Sequence, residues 1–162
     1  MATTSAPAGY HSITPAIIVR GAAQAIDFYK RAFGAEEVTR MAGPDGTIMH
    51  AEIRIGDSIV MLGDENPQFG TLSPLSTNGN PGSLHLYVAD ADAAFDRALR
   101  AGATVRYPLE NAFWGDRYGK VVDPFGHEWG IGQRVKEMSE EEVQKAGEEW
   151  MARQASMQGA QA

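Results

Sequence analysis

Cysteine is absent from all 162 residues, which excludes disulfides, a thiolate nucleophile and any Cys-ligated zinc or iron–sulfur centre. No apolar run approaches the ~18 residues that a membrane span requires. The start, "MATTSAPAGY", lacks the basic and apolar regions of a secretory signal. A cytoplasmic location with no membrane partner is the expectation. Basic residues are in deficit too. The formal charge of −7 is the wrong sign for a nucleic-acid partner. There is no phosphate-cradling G-x-x-x-x-G-K-[ST], and no G-x-G-x-x-G run between strand and helix, so neither a nucleotide fold nor a Rossmann-type methyl-donor site is supported. What is present, 43% hydrophobic and 22% charged residues, suits one well-buried domain.

The chain repeats itself. "VRGAAQAIDFYKRAFGA" (Val19 to Ala35) can be laid on "VADADAAFDRALRAGA" (Val88 to Ala103) with one residue deleted. Each copy reads strand, amphipathic helix, glycine stop. Ile26, Tyr29 and Phe33 share a helical face in the first copy, Phe95 and Leu99 in the second, and Gly34 and Gly102 stand at C-cap positions. Three strand candidates follow each helix: Glu37 to Met41, Thr47 to Ile55 and Ser58 to Leu62, then Thr104 to Pro108, Arg117 to Val122 and His127 to Ile131. The unit is therefore βαβββ, present twice. The expected fold is α+β, with strands of both units in a curved mixed sheet, helices outside and a ligand cleft inside.

This divides the chain into a frayed tail (1–10), a domain (11–135) and a C-terminal helix with its tail (136–162). Within the domain the units span 12–65 and 82–134, joined by a Gly/Pro/Ser/Asn-rich linker at 66–81. The last helix opens with a capping box, Ser139 with Glu142. Its sparse apolar positions (Val143, Ala146, Trp150) point to docking on the domain or on a second subunit, so a homodimer is expected.

"GSLHLYV" (Gly82 to Val88) alternates aliphatic Leu84, Leu86 and Val88 with Ser83, His85 and Tyr87. A period of two sends the two sets to opposite sheet faces. What the second face looks at decides whether His85 is chemical or structural.

Paired βαβββ units carrying "AIDFYKRAFGAEE", "IGDSIVMLGDE" and "WGDRYGKVVDPFGHEWGI" resemble the vicinal oxygen chelate superfamily of glyoxalase I, bleomycin- and fosfomycin-resistance proteins and extradiol dioxygenases. "MAGPDGTIMHAEIRIGDS", "SLHLYV" and "FWGDRYG" look most like its PhnB-like subgroup. The resemblance spans Ser12 to Gln133. It implies one divalent metal held by four side chains, one from the first and one from the last strand of each unit. Those positions fall here on Thr14, Met61, Ser83 and Gly130. None is His or a carboxylate, and a one-residue slip to Val60 or Trp129 does not help, whereas such an ion wants imidazole or carboxylate oxygen. No cofactor is therefore expected, one divalent metal ion being the alternative.

The resemblance puts Ser83 on the cleft face, and with it His85 and Tyr87. His85 then lines the cavity, as a hydrogen-bonding or proton-transfer group, or is a satisfied structural histidine. In "MHAEIRIG", His50, Glu52 and Arg54 share a face: either a metal-binding pair two apart on a strand or a solvated, self-compensating row. "FWGDRYG" offers Trp114 as a plate and Arg117 as an anchor for a planar or anionic ligand, unless Trp114 is packed and Arg117 pairs with Asp116. Glu128 in "GHEWGI" has cleft parity, and burial there would suit it to base work; otherwise it is a rim carboxylate. His11 and His127 are expected at the surface.

The reading is a small-molecule-binding protein, with His85 and Glu128 as catalytic candidates and Thr14, Met61, Ser83, His85, Tyr87, Trp114 and Arg117 as ligand-binding ones. The alternative is a lyase, isomerase or dioxygenase-like enzyme whose metal or His/Glu acid–base site is displaced from the usual position. Sequence leaves open whether the protein is an enzyme.

Overall fold

The structure, a computed structural model, describes residues 6–159. Two βαβββ units follow one another. The first is β1 (Ala16–Val19), α1 (Ala22–Phe33), β2 (Glu36–Ala42), β3 (Ile48–Ile55) and β4 (Ser58–Asp64). A 3-10 turn (Pro67–Phe69) and a single helical turn, α2 (Pro74–Thr77), lead to the second. That unit is β5 (Ser83–Tyr87), α3 (Ala91–Ala101), β6 (Thr104–Asn111), β7 (Asp116–Val122) and β8 (Glu128–Arg134), and α4 (Glu140–Gly159) ends the described chain. The α+β expectation is met, but the strands form two four-stranded mixed sheets, β1-β4-β3-β2 and β5-β8-β7-β6, with no ladder among the described residues joining the units into one. In each sheet the first strand runs parallel to the last, and the remaining pairs are antiparallel.

Local chemistry explains the helix limits. α1 has no capping side chain of its own, because Gly21 precedes it in a left-handed turn (φ 90°). The cap comes from Asp64 at the end of β4, whose carboxylate accepts the Gly21 and Ala22 amides at 2.8 Å each. Parallel pairing of Val19 with Asp64 makes this reach possible. α3 is capped conventionally, Asp90 accepting from the Ala93 amide. Gly34 ends α1 in the left-handed region (φ 66°), as expected for a C-cap glycine. The Ser139–Glu142 capping box forms in both directions.

α1 and α3 lie side by side and cover one face of both sheets. Ile17, Val19, Ile53 and Leu62 from the first sheet and Val121, Trp129 and Ile131 from the second are buried beneath them. At the centre, Phe28, Tyr29, Phe33, Phe125 and Trp129 form an aromatic cluster, Phe33 and Trp129 lying 4.6 Å apart. Buried Asp123 of the "DPFG" turn accepts four hydrogen bonds, from Tyr29, Trp129 and the Phe125 and His127 amides. One satisfied carboxylate thus ties the first unit's helix to the second unit's turn.

His127 is not at the surface as expected. It is 6% exposed, donates through Nε2 to the Ile18 carbonyl and meets the Asn80 amide at Nδ1. The turn folds it back onto the free edge of β1, where an unpaired carbonyl needs a donor.

Candidate aromatic site on the second sheet

With the aliphatic residues of β5 turned to the helices, its polar positions occupy the open face. Register sets their neighbours. His85 stands beside Gly130, which stands beside Lys120, and Tyr87 stands beside Gly132, which stands beside Tyr118. The two glycines leave a trough, and the His85 ring fills it. A Cβ on Gly130 would lie 2.9 Å from His85 Nδ1 and 3.1 Å from Tyr118, and one on Gly132 2.8 Å from His85 Nε2. The imidazole is parallel to the Tyr118 ring (4° between planes, centroids 5.6 Å apart) and 4.6 Å from that of Tyr87. Trp114 meets Tyr118 edge to face at 5.3 Å.

Asp116 organises this group from below. It is fully buried, and its Oδ2 accepts the Tyr87 hydroxyl at 3.1 Å and the Trp114 indole N–H at 3.0 Å. Arg134 Nε lies 3.0 Å from Oδ1, an ion pair without hydrogen-bond alignment. Partial desolvation among the rings holds His85 below the usual histidine pKa; the Lys120 charge adds to this and the Asp116 charge opposes it. His85 is therefore mainly neutral at pH 7, and the face is aromatic rather than cationic. Beside it, Lys120 Nζ and the Arg106 guanidinium lie 5.6 and 5.9 Å from the Tyr107 ring centroid.

The other expected site residues fall in three places. Ser83 is at the exposed start of β5 and borders, with Glu128 and His127, a cavity of about 370 Å³ between the sheets. Glu128 has open-face parity, but Lys120 (3.2 Å) and Arg106 (3.4 Å) both pair with it, so it is not a carboxylate isolated in apolar surroundings. Thr14 donates to the His11 carbonyl and shares a recess of about 440 Å³ with Met61, Tyr10 and Glu52 on the first sheet. Tyr10 belongs to the segment expected to fray, yet its hydroxyl donates to Glu52.

Arg117 does not join His85 and Trp114. Its parity on β7 is that of Gly119 and Val121, which face α3, and its guanidinium is held by Asp92 at 2.8 and 3.1 Å. Asp116, Tyr118 and Lys120, with Val122 at the strand end, are the β7 residues on the open face. Alternation in "DRYGKV" was the signal for them. Grouping by adjacency in "FWGDRYG" hides it. Trp114 lies on the same face through Tyr118 but also borders a separate recess with Met138 and Val143.

A four-ligand metal ion does not fit the positions implied for it. Thr14 and Met61 offer a hydroxyl and a thioether, Ser83 a hydroxyl and Gly130 nothing, and the space above Gly130 is taken by His85. Among the described residues no three His, Asp or Glu side chains are grouped to hold an ion. No helix among them is long and apolar enough to cross a membrane.

This chain is 50% identical over 138 residues to the Mycobacterium bovis protein Mb0911c, covering 83% of this chain and 91% of that one. The fold is similar to that of TioX from Micromonospora sp. ML1 (TM-score 0.60, 28% identity, 77% of this chain and 99% of the other). It is also similar to that of the PhnB protein from Bacillus cereus (TM-score 0.60, 22% identity, 76% and 99%). The model of the Glyoxalase/Bleomycin resistance protein/Dioxygenase superfamily matches residues 10–131, and the chain belongs to that family.

Proposed function

We propose that this protein binds a small, planar organic molecule on the open face of its second sheet, without the family's four-ligand metal. The observation that carries this reading is the ring group of His85, Tyr87, Tyr118 and Trp114 built over two glycines and braced by buried Asp116. Rings fixed by a buried hydrogen-bond hub offer apolar area at little further entropy cost. Covering a large aromatic surface contributes on the order of 1–3 kcal/mol. Lys120 takes the role expected of Arg117: although it pairs with Glu128 at 3.2 Å, it is on the same face as the rings, where an anionic or carbonyl oxygen of the ligand would share it. His85 and Tyr87 also border a cavity of about 460 Å³ against the first sheet, within the usual range for small-molecule sites.

The test is calorimetric titration with a panel of planar carboxylated aromatics, repeated with Trp114→Ala and Tyr118→Ala. Weakened binding by both variants, with unchanged circular dichroism, supports the reading. Equal binding by both refutes it. Elemental analysis of untagged, dialysed protein tests the metal-free part, and about one Zn, Ni, Fe or Mn per chain would overturn it.

We infer a homodimer as the working assembly. β2 and β6 are edge strands with exposed Val38, Met41, Val105 and Tyr107, and α4 leaves Met151 and Met157 uncovered. Such edges and patches favour a cover.

A second reading, an enzyme with an acid–base pair away from the usual position, is favoured by one observation: His50 and Glu52 are hydrogen-bonded to each other on the first sheet.

A further inference from the structure

The geometry points to a second site, on the first sheet, in which His50 is a nucleophile oriented by Glu52 and acts on small activated esters. β3 turns Ala51, Ile53 and Ile55 into the core, so His50 and Glu52 lie on the face away from the helices. His50 Nε2 is 3.0 Å from Glu52 Oε1, while the other carboxylate oxygen accepts the Tyr10 hydroxyl. The Tyr10 bond first, then that of His50, holds the Glu52 carboxyl below its usual range. Glu52 is therefore ionised and has no proton to give.

The tautomer follows. A carboxylate can only accept, so Nε2 carries the hydrogen, and in the neutral ring Nδ1 keeps its lone pair. No described residue bonds to Nδ1, and the side chain is 43% exposed. A carboxylate behind an imidazole fixes its orientation and stabilises the cation that forms on it. No hydroxyl or thiol on the described chain is hydrogen-bonded to Nδ1 and awaiting activation, so the imidazole itself is the attacking group.

The surroundings set the substrate class. His50 borders a cavity of about 330 Å³ lined by Ile18, Ile48, Met61 and Phe69, which suits a small ester with an apolar acyl or aryl part. The Nδ1 lone pair attacks the ester carbonyl carbon. The carbon–oxygen bond breaks, and the aryloxide leaves with the electron pair. The acylated ring, still protonated at Nε2, is an imidazolium opposed by the Glu52 carboxylate. Water adds to the acyl carbon, its proton passing to solvent, and the carboxylic acid departs with regeneration of the neutral imidazole. Water is the only co-reactant. This site is independent of the ring group on the second sheet, so either can fail without the other.

The experiment is 4-nitrophenyl acetate hydrolysis at pH 7.5, with mass spectrometry of protein quenched during turnover. The expected result is saturable release of 4-nitrophenolate with acetyl trapped on His50. His50→Gln should abolish the saturable rate, Glu52→Gln should lower it about tenfold or more, Tyr10→Phe should lower it less, and His11→Gln should leave it unchanged. If Glu52→Gln fails to fold, Glu52→Asp, which withdraws the carboxylate by one methylene, should give the same loss. A wild-type rate no greater than that of His50→Gln, acetylation of His11 in preference to His50, or a folded Glu52 variant at full rate would overturn the proposal.

Discussion

The His85 imidazole lies flat against Tyr118, 5.6 Å between centroids and 4° between planes, directly over a glycine of the strand between them. That stack requires Gly130 to stay bare. Gly130→Ala places a methyl group 2.9 Å from Nδ1 and should cost about 1–2 kcal/mol by overpacking. The nearest obstructing atom belongs to His85 and the next, at 3.1 Å, to Tyr118, so adding His85→Ala should recover part of the loss. A double-mutant cycle from urea unfolding measures the coupling, and additive single effects would contradict the geometry.

The charge state of His85 gives a pH signature. Its folded pKa is below the unfolded value of about 6.5, so the unfolded chain takes up the proton first as pH falls. His85 therefore contributes stability above about pH 6.5 that is lost as pH drops through its folded pKa. An NMR titration should place its midpoint below the usual histidine value of about 6.5, and Lys120→Met should raise it by removing a nearby cation. A midpoint unmoved by Lys120→Met would argue that Lys120 does not reach the ring group.

Asp123 carries more of the fold than of the site. Replacing it by Ala strands the Tyr29 hydroxyl, the Trp129 indole and two backbone amides in a buried place. A loss of about 3–5 kcal/mol is expected, the range for breaking a buried charged network. Tyr29→Phe removes one donor and should cost about 1–2 kcal/mol. Denaturant midpoints at constant m-value test both.

Arg117, by contrast, should be nearly silent in binding. Its partner Asp92 is largely exposed and belongs to the helix side, and exposed pairs contribute about 0–1 kcal/mol. Arg117→Ala should leave ligand affinity unchanged, where Lys120→Ala reduces it for an anionic ligand.

α4 is anchored by few contacts: Trp150 meets Phe113 at a tilt, 5.7 Å between centroids, and Gly147 lets that ring approach closely. A chain ending at Lys136 should keep the circular dichroism of the two sheets and lose dimer mass in light scattering. A truncated chain that stays dimeric would place the interface on the sheets alone.

Period-two alternation and the internal repeat determined a great deal without tertiary information. They set the two βαβββ units, the division of the His85 strand into an aliphatic and a polar face, and the capping box at Ser139, because these depend on spacing along a few residues. The lack of His or carboxylate at Thr14, Met61, Ser83 and Gly130 was equally local. Contacts between distant segments were not legible. The helix cap supplied by Asp64, the burial of His127 against Ile18, the diversion of Arg117 to Asp92 and the Tyr10–Glu52–His50 chain each join residues whose nearness is created by strand register and helix packing. Gly130 shows the difference most directly. Sequence showed only that it has no ligand to offer; folding put an imidazole in the space its missing side chain leaves, because adjacent strands at matched register share one small volume.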